Sequence, residues 1–239
     1  PVGFSGIAAS SADAVRLPPG YVHDVVIRWG DSLWSDTPSL DTATLRTGAL
    51  FAPAAALAQA RQFGSHCDAI QYFRLDAGDA RRPSRHGVLC VNNEYTNDEQ
   101  LFPGRRPVFG SDPGHLRALI GRQPGIVHFA QAAHGVSVVE VRRESAAWQA
   151  VRDARLNRRI TATTPIDVRG PARGAAWLRT RADPAGTTVL GTLANCAGGC
   201  TPWGTYLSAE ENIQDYFGNF GALRDARDKD AAMWRAHRR

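Results

Sequence analysis

The strongest constraint on this chain is its rhythm of short β-favouring segments cut by turn residues. YVHDVVIRW (21–29) stops at Gly30-Asp31, and DAIQYFRLD (68–76) runs into the turn-rich AGDARRPSR. HGVLCVNNEY (86–95), HGVSVVEVRR (134–143), AAWQAVRD (146–153) and RRITATTPIDV (158–168) follow, the second and third of these reading as a hairpin. TTVLGTLAN (187–195) and GTYLSAEEN (204–212) close the series. β-branched and aromatic residues between Gly, Pro, Asn and Asp clusters read as strands joined by turns, which points to an all-β architecture. One convincing helix interrupts it: APAAALAQARQF (52–63), alanine-rich, with a proline near its start and Gly64 past its end. Residues 1–20 read as an extended leader, 31–50 and 96–130 as loop, and the tail from Ala222 as mildly helical. Long loops between strand pairs suit a barrel or propeller carrying a site at one end. No sharp internal repeat is visible.

The chain has 239 residues, 43% of them hydrophobic, enough for a sizeable core. No run of apolar residues is long enough to span a membrane. Net charge is +5, but six Lys/Arg against three Asp in the last nineteen residues supply +3 of it. The body is nearly balanced, so the composition does not mark a nucleic-acid face. The chain starts at Pro1 and ends in MWRAHRR, which reads as a piece of something longer, with any export signal upstream.

The chemistry concentrates in NCAGGCTPWGTYLSAEEN (195–212). A cysteine in a glycine-rich segment can pack, pair in a disulfide, or act as a thiolate toward soft or borderline metals. Glu210 and Glu211 are hard oxygen donors, suited to Ca²⁺ or Fe³⁺, or else a solvated face. On a regular strand these neighbours point to opposite faces, so only one can reach a common site unless the strand has ended by Glu210. With 196–203 as the loop of a simple hairpin, Glu211 lies too far from Cys196 to share one small ion. Asn92-Asn93-Glu94-Tyr95, at the end of HGVLCV, offers amides beside a carboxylate for an oxygen-rich Ca²⁺ site, with a plain turn as the alternative. Asp68 opens its strand and is either a ligand or, the favoured reading, a strand-start turn residue, and His134 reads as structural. The four cysteines show no C-x-x-C spacing. Disulfides Cys67–Cys90 and Cys196–Cys200 are both open in an oxidising compartment.

These residues resemble the PhoX-type alkaline phosphatases, bacterial secreted phosphatases. The matching segments are LPPGY with VVIRWGD (17–31), QARQFGSHCDAI (59–70), GVLCVNNEYT (87–96), HGVSVVEV (134–141), RRITATTPIDVRGPARG (158–174) and, above all, NCAGGCTPWGTYLSAEEN. They stand in the family's order and cover nearly all of the chain. The resemblance implies a phosphomonoesterase built as a β-propeller, with an iron–calcium cluster (Fe³⁺ and Ca²⁺) in its channel. One thiolate and several glutamates would hold that cluster. It implies that Cys196 is the iron-binding thiolate, that Glu211 is a metal carboxylate with Glu210 beside it, and that Glu94 is a further one. It implies twin-arginine export to the periplasm or beyond. It also implies small phosphomonoester substrates, and a monomer with no nucleic-acid partner and no membrane span. The chain, 1–239, is then a single domain and an N-terminal portion of a larger propeller, with short helices in long loops. Two departures stand out. Cys200 is unexpected there, and its disulfide with Cys196 would consume the thiolate; SAEEN carries alanine where cysteine is common. A calcium-dependent propeller hydrolase of lactonase-like type, and a non-catalytic calcium-binding propeller fragment, are the alternative readings.

Overall fold

The computed structural model describes residue 3 and residues 5–76, 83–103 and 123–216. Five antiparallel strands form the central sheet: β1 (Cys67–Arg74), β2 (His86–Asn93), β3 (Gly135–Glu144), β4 (Ala147–Ala150) and β5 (Arg158–Ile160). They run in the order β1-β2-β3-β4, and β5 pairs with the first part of β3. Two separate ribbons follow, β6 (Pro165–Asp167) with β7 (Thr188–Leu190), and β8 (Asn195–Cys200) with β9 (Tyr206–Glu210). The described chain is thus mostly β with a few helices, and no closed propeller is present among the described residues.

β3 explains why its sequence reads as a nearly continuous apolar run. It is flanked by strands on both edges and buried from Gly135 to Val141. One face of the sheet packs Val91, Val139 and Val141 against Leu33 and Phe63. The other packs Val88, Cys90, Val136 and Val138, and Tyr206 from β9 lies against it. Fully buried Val139 alone is worth about 1.5–3 kcal/mol relative to exposure. A third cluster, Leu50, Leu101, Phe102, Ile126 and Phe129, sits among the helices.

Several sequence expectations shift here. The helix expected over 52–63 is shorter, α1 (Pro53–Gln59). Residues 61–63 leave it because their backbone pairs with residues 30–33: Gly30 N–H donates to Phe63 O, and Phe63 N–H to Asp31 O. The strand expected at 21–29 makes no ladder. Within the expected loop region, α2 (Asp98–Leu101) and α3 (Gly125–Ala133) are helical. The run 158–168 is split between β5 and β6, which belong to different sheets. The tail from Ala222 lies outside the described residues. Among the described residues no helix is long and apolar enough to cross a membrane.

Candidate metal centre

The segment NCAGGC is strand, not loop. β8 pairs with β9 so that Asn195 faces Glu210 and Cys200 faces Tyr206, which puts the hairpin turn at 201–205. This corrects the geometric obstacle. Cys196 sits at the far end of the ribbon from the turn, beside the point where β9 ends, and Glu211 N–H donates to Ala194 O at 2.8 Å. Cys196 and Glu211 are therefore neighbours, and Glu211 is among the groups that raise the thiol.

The same geometry removes the proposed disulfides. Residues four apart on a strand lie roughly 13 Å apart, well beyond the reach of an S–S bridge. Cys67, Cys90, Cys196 and Cys200 are all free thiols. Cys67 stands opposite Asn93 and Cys90 opposite Gln71, several residues along the same ladder.

Two β-bulges aim the site. Between the pairs Asn195–Glu210 and Gly198–Ser208, β8 advances three residues while β9 advances two. The additional residue falls at Cys196-Ala197. Between Cys67–Asn93 and Ile70–Val91, β1 likewise advances three residues against two on β2, at Asp68-Ala69. A bulge breaks the alternation of side chains and re-aims the residue it contains. Here the two bulges turn Cys196 and Asp68 toward Glu94, which follows directly on β2. The ligand-type atoms of Asp68, Glu94 and Cys196 all lie within 4.8 Å of one another. Among the described residues, three of the five non-glycine residues with positive φ, His66 (45°), Ala194 (49°) and Asn212 (50°), border this cluster. Such backbone is costly for a residue with a Cβ and tends to persist where a site demands it.

Of the two roles the sequence leaves open for Asp68, ligand and strand-start turn residue, the structure favours the first by placing it inside the cluster. Register cannot be read from a single strand, so the bulge that turns Asp68 inward left no local signal. Glu210, in contrast, turns away. Its Oε1 accepts from Thr192 Oγ1 at 2.9 Å and from Leu193 N–H at 2.8 Å. The alternation expected of neighbouring strand residues separates it from Glu211. Asn92 and Asn93 are wholly buried and engaged with protein atoms. Asn93 Oδ1 accepts from Ser137 Oγ at 2.5 Å and from Arg159 Nη1 at 2.8 Å. His134 is structural, as expected. Its Nδ1–H donates to Ala130 O at 2.6 Å and its Nε2 faces the Tyr216 hydroxyl at 3.1 Å.

The electrostatics of the cluster are those of acids crowded together. Hydrogen bonds to Glu211 and then Asp68, with a further contribution from burial, push the Cys196 thiol up to about 12. Burial, followed by the charges of Asp68 and Glu211, raises the Glu94 carboxyl. Asp68 and Glu211 thus oppose the ionisation of Cys196 and of Glu94. A bound cation inverts that balance, since a coordinating thiol is deprotonated and carboxylates are held ionised. The donor set, one sulfur and three carboxylates, therefore fits a mixed hard and borderline metal site. A cleft of roughly 360 Å³ opens onto it, lined by Glu94, Tyr95, Glu211, Asn212 and Tyr216, and His66 stacks on Tyr95 with ring centroids 3.9 Å apart.

The family profile described as alkaline phosphatase PhoX matches residues 2–236. The chain belongs to the PhoX alkaline phosphatase family. Among solved structures it resembles Pseudomonas fluorescens PhoX in complex with vanadate, a transition state analogue. The identity is 37% and the TM-score 0.75, over 95% of this chain and 34% of that one. The chain thus spans about a third of the length of that PhoX relative. No curated protein matches it.

Proposed function

We propose that this chain carries part of the metal centre of a phosphomonoesterase. In this reading Cys196 and Glu211 hold iron, and Asp68 and Glu94 hold calcium alongside. The observation that carries it is the convergence of Cys196, Asp68 and Glu94 within 4.8 Å, with Glu211 on the same cleft and its N–H bonded to Ala194 O. Family membership supplies the reaction class, and the vanadate complex of the Pseudomonas relative is consistent with a phosphoryl centre in that protein. When bound, such ions neutralise phosphoryl oxygens and lower the cost of attack at phosphorus.

The chain's own residues do the rest. The bulges present thiolate and carboxylate from opposite sides, and Glu94, half-buried, sits where the cleft meets the cluster. Small phosphate monoesters are the substrate class. The central sheet and its ribbons form part of a larger propeller, and the mature protein is a monomer working in the periplasm or outside the cell. Glu210, turned toward Thr192 and Leu193, serves as a hairpin brace rather than a ligand.

The test is metal content by mass spectrometry of the purified chain and of Cys196→Ala, paired with phosphate release from p-nitrophenyl phosphate at alkaline pH. Iron and calcium in the parent, with iron lost from the variant, are expected. A parent without metal, or a variant that keeps its iron, overturns the reading.

A further inference from the structure

Resting on that reading, we propose that Asn92 is a positioning residue that sets the Cys196 thiolate for metal binding by locking both bulges at once. Asn92 is fully buried at the end of β2, on the face of the sheet that the β8–β9 ribbon covers. Its amide nitrogen donates to Cys196 O at 3.0 Å and to Ala197 O at 3.1 Å. These are the two carbonyls that the β8 bulge removes from regular pairing. Its Oδ1 accepts from the Tyr206 hydroxyl and from Ser208 Oγ, both at 2.8 Å. Both hydrogens and both lone pairs of one primary amide are thereby used, and every partner lies on the ribbon that carries the thiol.

The Tyr206 hydroxyl extends the lock to the other bulge, lying 3.2 Å from Ala69 O, one residue past Asp68. Gly198 makes room for this crossing. A Cβ there would stand 2.5 Å from the Tyr206 hydroxyl and 2.8 Å from the Ala69 Cβ. The result is a chain of contacts from Asp68's bulge through Tyr206 and Asn92 to the backbone of Cys196. Asn92 touches neither thiol nor carboxylate. It acts by holding the peptide units that aim them.

The experiment titrates Cd²⁺ into the purified chain and follows the ultraviolet sulfur-to-metal charge-transfer absorption, with Ca²⁺ titrated in parallel by calorimetry. Asn92→Asp keeps the shape and the accepting oxygen but puts an oxygen opposite the carbonyls of Cys196 and Ala197. Cd²⁺ affinity read at the thiolate band should fall by about tenfold or more, the size seen when outer partners of metal ligands are changed. Ca²⁺ affinity should change less, whereas a merely structural role lowers both together with the melting temperature. Tyr206→Phe keeps the Asn92 amide nitrogen on Cys196 O and Ala197 O but removes the hydroxyl shared by Asn92 Oδ1 and Ala69 O, so it should weaken the Cd²⁺ band several-fold with an unchanged fold. Where Asn92→Asp does not fold, Tyr206→Phe decides. A wild-type band that the folded variants match in affinity overturns the assignment of Asn92. A wild-type chain with no thiolate band, equal to Cys196→Ala, overturns the metal-site reading and this proposal with it.

Discussion

β2 and β3 pair through eight consecutive positions without a break, His86–Arg142 to Asn93–Gly135. The β8–β9 ribbon is short, carries a bulge, and exposes Leu207 and Trp203. The first region holds the core and offers no ligands within its ladder. The second holds Cys196 and leads into Glu211, yet it buries little of its own surface. Ligands need backbone free to depart from regular pairing, and such backbone is weak by itself. Here the regular ladder lends its rigidity through two adjacent buried asparagines. Asn92 faces the ribbon, and Asn93 faces Ser137 and Arg159 on the other side.

That division can be broken at either end, and the largest effect belongs to the ribbon. Cys196→Ala should remove iron altogether while changing the free energy of unfolding in urea by no more than about 0.5 kcal/mol, as expected for a partly exposed position away from the core. Metal analysis beside chemical denaturation reads both numbers.

In the ladder the expectation reverses. Arg159 is buried, burial lowers it to about 9, and it donates to Asn93 Oδ1, Ser137 Oγ, Ala132 O and His134 O. Arg159→Met leaves several of those acceptors unpaired, at a cost of about 3 kcal/mol or more by urea unfolding. Iron should be lost only in proportion to the unfolded fraction. Iron lost from a fully folded Arg159→Met would erase the distinction between the regions.

Acid sharpens the comparison further. Burial holds His134 down at about 4, against an ordinary 6.5. A histidine depressed in the folded state contributes its full stability above the unfolded value and loses it as pH falls toward the folded one. The chain should therefore lose at most about 3 kcal/mol between pH 6.5 and 4 on this account. His134→Gln should flatten that part of the pH–stability profile measured by thermal unfolding.

The smallest effect concerns the second glutamate. Glu210→Ala removes the acceptor for Thr192 Oγ1 and Leu193 N–H, with an expected loss of about 0.5–1 kcal/mol. Metal content should stay at the parental level. A drop in iron equal to that of Glu211→Gln would place both glutamates in the centre and break the alternation argument.

Legible in the sequence alone were most of the strand-forming segments, 21–29 excepted, and the concentration of chemistry near Cys196, Glu94 and Glu211. Both rest on local properties: β-branched runs between turn residues, and residue types whose donor atoms suit metals. Strand alternation raised the question of whether Glu210 and Glu211 share a site, while the family resemblance still implied both. The position of the hairpin turn was misplaced, because two glycines in NCAGGC look like a loop while the partner strand makes them a ladder. The fate of 61–63 was hidden for the same reason, since a distant segment at 30–33 takes their hydrogen bonds. Pairing between distant strands is what brings Asp68 into the cluster, keeps a disulfide from competing for Cys196, and spends Asn92 on holding rather than ligating. Each depends on register between strands far apart in the chain. A one-residue offset reverses the face of every side chain beyond it, and no local pattern records where that offset falls.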